Sequence, residues 1–125
     1  MRKIIAIIDD EVDIGYLLKS NIGSEFFDVF CFQDLTSGIR ALPDLNPQIL
    51  FLDINFPDGC GLDYIQTIKS SLPECIIIMI SAYDEATQVK TAKSAGANDF
   101  IPKPFTKDII LERIHKFCLS GSSMN

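Results

Sequence analysis

Five polar residues stand within two positions after apolar segments of this chain, and their side chains could bind a divalent cation and a phosphoryl group. They are Asp9, Asp10, Asp53, Ser81 and Lys103. Clustered carboxylates repel one another and raise each other's pKa values unless a cation lies among them. Oxygen ligands without His or Cys favour Mg²⁺ or Mn²⁺ over zinc, and Mg²⁺ commonly binds a phosphoryl oxygen as well. A lysine and a hydroxyl can hold the remaining phosphoryl oxygens.

The chain contains neither of two glycine-rich phosphate-binding loops, G-x-x-x-x-G-K-[ST] and G-x-G-x-x-G. A nucleotide is therefore not the expected substrate. The reaction that the five residues favour is transfer of a phosphoryl group to the protein itself, with an aspartate carboxylate as the nucleophile.

Short apolar segments rich in β-branched residues alternate with segments of helical spacing. We predict strands at 3–8, 27–32, 48–52, 75–80 and 98–101. Helical spacing is found at Ile14, Leu17, Leu18 and Ile22, at Leu62, Ile65, Ile68 and Leu72, and at Ile110, Ile114 and Phe117. A shorter helix is predicted at 34–42, closed by Pro43, and another at 84–95, capped by Gly96. This alternation predicts a parallel sheet with helices on both faces, in which the residues after the strands meet at one edge.

Composition and charge exclude several other classes of protein. A length of 125 residues with 47% hydrophobic content is typical of one folded domain. The formal net charge of −6 disfavours direct binding of this domain to nucleic acid or to an anionic membrane. The apolar runs are far shorter than the about 20 residues of a membrane span, and the first is too short for a signal peptide. We therefore predict a cytoplasmic protein.

Four segments, in this order along the chain, resemble the receiver domain of two-component response regulators. They are Asp9-Asp10, the stretch from Asp53 to Gly61 (DINFPDGCG), Ser81-Ala82, and the stretch from Ala97 to Phe105 (ANDFIPKPF). The resemblance covers residue 3 to about residue 118. It implies an α/β fold with a flavodoxin-like, doubly wound five-stranded parallel sheet in the order 2-1-3-4-5 and five helices on both faces. It also implies a receiver domain over 1–119, with 120–125 as a disordered tail or the start of a linker.

The resemblance further implies a role for each residue of the site. Asp53 would attack the phosphorus of a phosphohistidine on a sensor histidine kinase or a histidine phosphotransfer protein. The domain would thus catalyse its own phosphorylation and dephosphorylation without being a conventional enzyme. Asp10, Asp53 and the backbone carbonyl of Asn55 would ligate Mg²⁺ (or Mn²⁺), with Asp9 acting largely through bound water. Lys103, in a cis peptide bond with the proline that follows, would pair with the phosphoryl group.

The same resemblance implies a switch. The added charge would move the loop at Ser81, whose hydroxyl would bond to the phosphoryl group, and Phe100 would turn inward. Asn55 and Tyr83 would border the path of the water that hydrolyses the phosphoaspartate. We predict that the bulky Tyr83 side chain prolongs the phosphorylated state.

The predicted helix at 84–95 carries mostly alanine on its apolar side, so we expect it to be loosely held and to shift with Ser81. Together with the strand at 98–101 and the helix at 106–119, it would form the face that binds a downstream protein or an attached output domain. A phosphorylation-dependent homodimer also stays open.

Two other functions stay open from the residues alone. A phosphatase resembling the haloacid dehalogenase family also uses an aspartate nucleophile, Mg²⁺, a hydroxyl and a lysine. That family places its nucleophile on the first strand in a D-x-D step, and this chain lacks room for its cap. A flavodoxin-like FMN-binding module needs a hydroxyl-rich loop after the first strand, where Asp9-Asp10-Glu11 would repel phosphate.

Overall fold

Strands and helices alternate along the chain. The computed structural model describes residues 3–22, 27–82 and 86–119. The strands are β1 (Lys3–Ile8), β2 (Phe27–Phe32), β3 (Ile49–Asp53), β4 (Ile76–Ser81) and β5 (Asp99–Pro102). The helices are α1 (Val12–Ile22), α2 (Leu35–Leu45), α3 (Ile65–Ser71), α4 (Ala86–Ala95) and α5 (Lys107–Ile114). A 3₁₀ turn at Gly61–Tyr64 precedes α3, a π-helical turn at His115–Leu119 follows α5, and a short hairpin pairs Asn55–Phe56 with Gly59–Cys60.

The five strands form one parallel sheet in the order β2-β1-β3-β4-β5. This confirms the predicted 2-1-3-4-5 order. Along β3, Leu50 and Leu52 belong to a hydrophobic cluster on one face, whereas Ile49 and Phe51 belong to a cluster on the other. Residues of α2, α3 and α4 contribute to the first cluster, and residues of α1 and α5 to the second. The strands are apolar on both faces because both faces are covered.

Three strands begin and end one residue later than predicted, at β3, β4 and β5. The predictions ended each strand at its last apolar residue. Backbone pairing does not depend on side-chain polarity, however, so Asp53 pairs with Ile80 and Ser81 with Pro102 in the sheet. Two of the predicted site residues are therefore held by strand hydrogen bonding rather than by loops.

The prediction that Pro43 closes the second helix at Leu42 is wrong. Helix α2 runs through Pro43 to Leu45 and ends at Asn46, which has a left-handed conformation with φ 48°. The Asn46 N–H donates to the Leu42 carbonyl at 2.8 Å. Proline near the end of a helix removes one donor without interrupting the turns before it, so the residue with positive φ sets the boundary.

Helix α4 ends as predicted. Gly96 has φ 119°, its N–H donates to the Lys93 carbonyl at 3.1 Å, and the Ala97 N–H donates to the Ala92 carbonyl at 3.0 Å. These two bonds form a Schellman motif. The first two residues of the predicted 84–95 helix lie outside the described residues. No helix in the described ranges is long and apolar enough to cross a membrane.

The helical spacing of apolar residues in α1 wrongly predicts that Leu17 lies in the core. Leu17 is 43% exposed, whereas its neighbour Leu18 is fully buried. The two stand about 100° apart around α1, so only one of them can point directly at the sheet.

Candidate functional site

The carboxyl ends of four strands bring the predicted site residues together. Asp9 follows β1, Asp53 ends β3, Ser81 ends β4 and Lys103 follows β5. The Lys103 N–H donates to the Ser81 carbonyl at 2.7 Å, which ties the segment after β5 to the end of β4. The peptide bond between Lys103 and Pro104 is cis, as expected. The parallel sheet thus places these residues at one edge.

Asp9, Asp10 and Asp53 form an acidic cluster. Each offers one carboxylate oxygen, and these oxygens all lie within 4.8 Å of one another. Asp9 and Asp53 are buried, at 2% and 5% exposure, whereas Asp10 is exposed. Local backbone N–H groups orient the two buried carboxylates: Glu11 donates to Asp9 Oδ1 at 2.8 Å, and Ile54 donates to Asp53 Oδ1 at 2.7 Å.

The Lys103 ammonium lies against this cluster. Its Nζ is 2.9 Å from Asp9 Oδ2 and 3.1 Å from Asp53 Oδ2, and it donates to Glu11 Oε1 at 2.8 Å. The Glu11 contact was not anticipated from the sequence. Glu11 directly follows the acidic pair, and this position was the one feature of the sequence that could have indicated the contact. Glu11 and Lys103 are 92 residues apart in the chain, however.

Burial makes the acidic cluster costly to ionise. It raises the pKa of Asp9 to about 6, against the opposing hydrogen bonds from Glu11 and Lys103, and it also raises the pKa of Asp53. Burial opposes the charge of Lys103 as well, but the carboxylates of Glu11, Asp9 and Asp53 together outweigh it and raise the pKa of Lys103 above its ordinary value. Several carboxylates share one ammonium, so a divalent cation would relieve their repulsion. The donors are all oxygen, which fits Mg²⁺ or Mn²⁺.

The loop after Asp53 closes tightly on itself. The Gly61 N–H donates to the Ile54 carbonyl at 2.6 Å, and a methyl group at Gly61 would lie 2.1 Å from the Asp53 carbonyl oxygen. Only glycine allows this approach of two backbone segments. Asn55, which is predicted to be a ligand through its backbone carbonyl, is exposed and begins the hairpin by pairing with Cys60.

The predicted switch residues differ in their surroundings. Ser81 is fully buried at the end of β4. Phe100 is 8% exposed and belongs to the same hydrophobic cluster as Met79, its register partner on β4. Its side chain is therefore already inward in this structure. Tyr83 lies outside the described residues.

Comparisons with known proteins agree with this geometry. The sequence matches the family model of the response regulator receiver domain over residues 5–115. A BeF3-activated DrrB receiver domain is 28% identical, with a TM-score of 0.83 and coverage of 94% of this chain and 97% of that one. A CheY-like receiver domain protein from Methanospirillum hungatei JF-1 is 22% identical, with a TM-score of 0.92 and full coverage of both chains.

A longer protein contains a similar domain. NtrX from Brucella abortus, solved in complex with ADP, is 30% identical with a TM-score of 0.87 over 99% of this chain, which spans 29% of that chain. The family match covers most of the sequence and includes every strand of the sheet except the first residues of β1. The chain therefore belongs to the response regulator receiver domain family, and it is a phosphorylation-dependent switch of two-component signalling.

Proposed function

We propose that this receiver domain accepts its phosphoryl group on Asp53. The observation that carries the proposal is the Asp53 carboxylate itself, which ends the central strand, belongs to a cluster with two further acids, and lies 3.1 Å from the Lys103 ammonium. A nucleophile for phosphoryl transfer needs neighbouring positive charge to receive a charged phosphate. The family assignment favours this function over the phosphatase and FMN-binding alternatives.

The transfer is a displacement at phosphorus. A carboxylate oxygen of Asp53 attacks the phosphorus of a phosphohistidine, and the P–N bond breaks with its electron pair going to the imidazole nitrogen. An acyl phosphate forms on Asp53. The donor would be a sensor histidine kinase or a histidine phosphotransfer protein, and the location we infer is the cytoplasm, where response regulators generally act.

The acidic cluster would hold the cation. Asp10, Asp53 and the backbone carbonyl of Asn55 are the proposed direct ligands of Mg²⁺ (or Mn²⁺), with Asp9 acting largely through water. When bound, the cation supplies positive charge to the phosphoryl oxygens. Lys103 already lies between Asp9 and Asp53, so its ammonium needs only a small movement to pair with a phosphoryl group on Asp53.

Phosphorylation would be transmitted through the end of β4. The Ser81 hydroxyl would bond to the added group, which carries about −1.5 to −2 charge. Helix α4 is the element most able to respond, because Ala92 is its one fully buried hydrophobic side chain among those that the structure describes. We infer that α4, β5 and the segment at 106–119, which contains α5, form the face for a downstream protein or an attached output domain. The tail or linker predicted at 120–125 lies outside the described residues.

The proposal is tested by incubating the protein with Mg²⁺ and a small-molecule phosphodonor, and by following the intact mass. We expect one phosphoryl group on the wild type, none on Asp53→Asn, and normal labelling of Asp63→Asn, which alters an exposed aspartate ten residues away. A label that persists in Asp53→Asn would overturn the assignment. Continuous turnover of a phosphomonoester would favour the phosphatase alternative instead.

A further inference from the structure

The loop between Asp53 and α3 is fastened to the start of α2 by one side chain. Asp58, at the tip of the loop, accepts hydrogen bonds from the Leu35 N–H at 3.3 Å, from the Thr36 N–H at 3.0 Å and from the Thr36 hydroxyl at 2.8 Å. Both carboxylate oxygens are used in these bonds. The two segments are more than 20 residues apart in the chain, so this connection is a tertiary contact.

Helix α2 has a cap of its own. The Asp34 carboxylate accepts a hydrogen bond from the Ser37 N–H at 2.7 Å, as expected of an N-cap residue. Asp58 bonds the two N–H groups that precede Ser37 in the first turn. Asp58 therefore satisfies two further N–H groups at the start of α2, and the same bonds tie the loop to the helix.

The tip of the loop also packs against the helix. Gly59 has φ 157°, and a side chain there would lie 3.0 Å from Leu35 Cδ2. Leu35 is 1% exposed and belongs to the hydrophobic core. The loop therefore rests on a fixed part of the molecule.

The other end of the loop is fixed as well, where Gly61 bonds to Ile54 and closes against the carbonyl of Asp53. Asn55 lies between these two anchor points. The backbone position of Asn55 thus depends on the base of the loop and on the Asp58 connection at its tip. The end of β2, which leads into α2, is joined to the acidic cluster by the Asp9 N–H, which donates to the Phe32 carbonyl at 3.0 Å.

We propose that Asp58 is a positioning residue that holds the Asn55 backbone carbonyl in place for Mg²⁺ and thereby sets the affinity of the site for the cation. The inference rests on the proposed function, in which the Asn55 carbonyl is a ligand. Asp58 acts through the loop, because both of its oxygens are bonded to α2 and it is not a member of the Asp9, Asp10 and Asp53 cluster. Residues that orient metal ligands typically change metal affinity by 10- to 100-fold when they are mutated.

Calorimetric titration of the full chain with Mg²⁺ tests this role. Asp58→Ala removes all three bonds and should weaken Mg²⁺ binding by about tenfold, the lower end of that range, because the base of the loop stays closed. Asp58→Asn loses the same charge but keeps one acceptor oxygen, so it should recover part of the affinity. Asp63→Ala removes the charge of an exposed aspartate in the following turn and should bind Mg²⁺ like the wild type.

Hydrogen exchange provides a second measurement. The Thr36 amide should exchange faster in Asp58→Ala than in the wild type. Thr36→Val, which removes only the hydroxyl bond, provides a variant of nearly the same shape in case Asp58→Ala fails to fold, and it should weaken Mg²⁺ binding less than Asp58→Ala.

Each outcome has a distinct meaning. Wild-type affinity in Asp58→Ala, or in Thr36→Val where Asp58→Ala does not fold, would overturn the positioning role and leave the metal site intact. Equal losses in Asp58→Ala, Asp58→Asn and Asp63→Ala would assign the effect to net charge and also overturn it. A wild-type protein that does not bind Mg²⁺ would overturn the metal site and, with it, this inference.

Discussion

At the scale of single residues, the site contains more carboxylate groups than positive charges. Lys103 contacts three carboxylates, those of Asp9, Glu11 and Asp53, yet it carries one positive charge. Asp9 and Asp53 are buried, and the pKa of Asp9 is raised to about 6 mainly because burial opposes its ionised form. At neutral pH the site is therefore ionised at a cost to folding. The same cost makes it receptive to a cation.

This imbalance predicts that Asp9→Asn stabilises the metal-free protein. The folded pKa of Asp9, about 6, exceeds its ordinary value of 3.8. The folded state therefore holds its proton more tightly, and the destabilisation is complete above pH 6 and fades as pH falls towards 3.8. We expect the free energy of unfolding of Asp9→Asn to rise by up to about 3 kcal/mol at pH 7.5, with roughly half of that gain at pH 5.

Urea unfolding in EDTA across this pH range measures the effect, with Asp63→Asn as an exposed control. A gain for Asp9→Asn that does not depend on pH would contradict the electrostatic cause. A loss of stability at pH 7.5 would show that the contact with Lys103 outweighs the cost of burial.

A second prediction at this scale concerns the lifetime of the phosphorylated state. Tyr83 stands two residues after Ser81 in the sequence, and a bulky side chain at that position would exclude the hydrolytic water. We expect Tyr83→Ala to shorten the lifetime roughly fivefold, which corresponds to about 1 kcal/mol in the barrier. Loss of the label after removal of the phosphodonor measures it. Tyr16→Ala, at a tyrosine 77% exposed on α1, is the matched control. An unchanged or longer lifetime in Tyr83→Ala would refute the prediction.

At the scale of elements, we predict that replacing glycine by alanine has opposite effects on stability at two positions, Gly61 and Gly15. Gly61 closes the loop after β3, where an added methyl group would lie 2.1 Å from the Asp53 carbonyl oxygen. Gly15 lies within α1, where a methyl group would make ordinary contacts of 3.5 Å with Cys31. Gly61→Ala should destabilise the fold by about 3 kcal/mol, the upper end of overpacking costs. Gly15→Ala should stabilise it by about 0.5–1 kcal/mol through helix propensity. The urea concentration at the midpoint of unfolding measures both effects. If both substitutions destabilise the protein, the prediction that α1 tolerates a methyl group at Gly15 is wrong.

Helix α4 is predicted to respond to phosphorylation more than the other helices. Among the side chains of α4 that the structure describes, Ala92 is the buried apolar one, and Val89 and Ala95 are partly buried. Burial of small side chains provides little hydrophobic stabilisation. Hydrogen exchange should therefore change in α4 when Mg²⁺ and beryllium fluoride are added, while α1, anchored by the buried Leu18, should change little. Equal protection of α4 in both states would argue against its role in the switch.

The bounds of the strands and helices also show how much of the secondary structure the sequence pattern can predict. Strands β1 and β2 match their predicted bounds, because short apolar segments bounded by polar residues are a strong local signal. The ends of β3 and β4 were missed, because Asp53 and Ser81 are polar and their pairing is set by the neighbouring strands. The prediction that Pro43 ends α2 was also wrong, because the type of one residue did not determine where the helix ends. The positive φ of Asn46, and not the loss of one donor, determines where α2 ends.

At the scale of the whole molecule, the topology explains which parts of the site could be predicted. Strand ends in a parallel sheet meet at one edge, so the convergence of Asp9, Asp53, Ser81 and Lys103 follows from the alternation of elements alone. Contacts made by long side chains do not follow from it. The bond that Lys103 donates to Glu11 and the bonds that Asp58 accepts from α2 depend on side-chain reach between distant segments. The sequence contains no period that marks either one.

The coupling of the site to the whole fold leads to a final prediction, that Mg²⁺ raises the midpoint of thermal unfolding. The acidic cluster is assembled from β1 and β3, so it exists only in the folded state. A ligand at ten times its Kd that binds only the folded state stabilises it by about 1.4 kcal/mol. For a domain of this size the midpoint should rise by roughly 3–6 °C.

Asp10→Asn is the informative variant, because Asp10 is exposed and the ion pairs of Lys103 do not involve it. Its midpoint without metal should stay close to that of the wild type, while its response to Mg²⁺ should be lost. NaCl at matched ionic strength separates binding from screening, since screening acts on all exposed charges. A rise of equal size in NaCl, or a full Mg²⁺ response in Asp10→Asn, would mean that the cation does not act through this cluster.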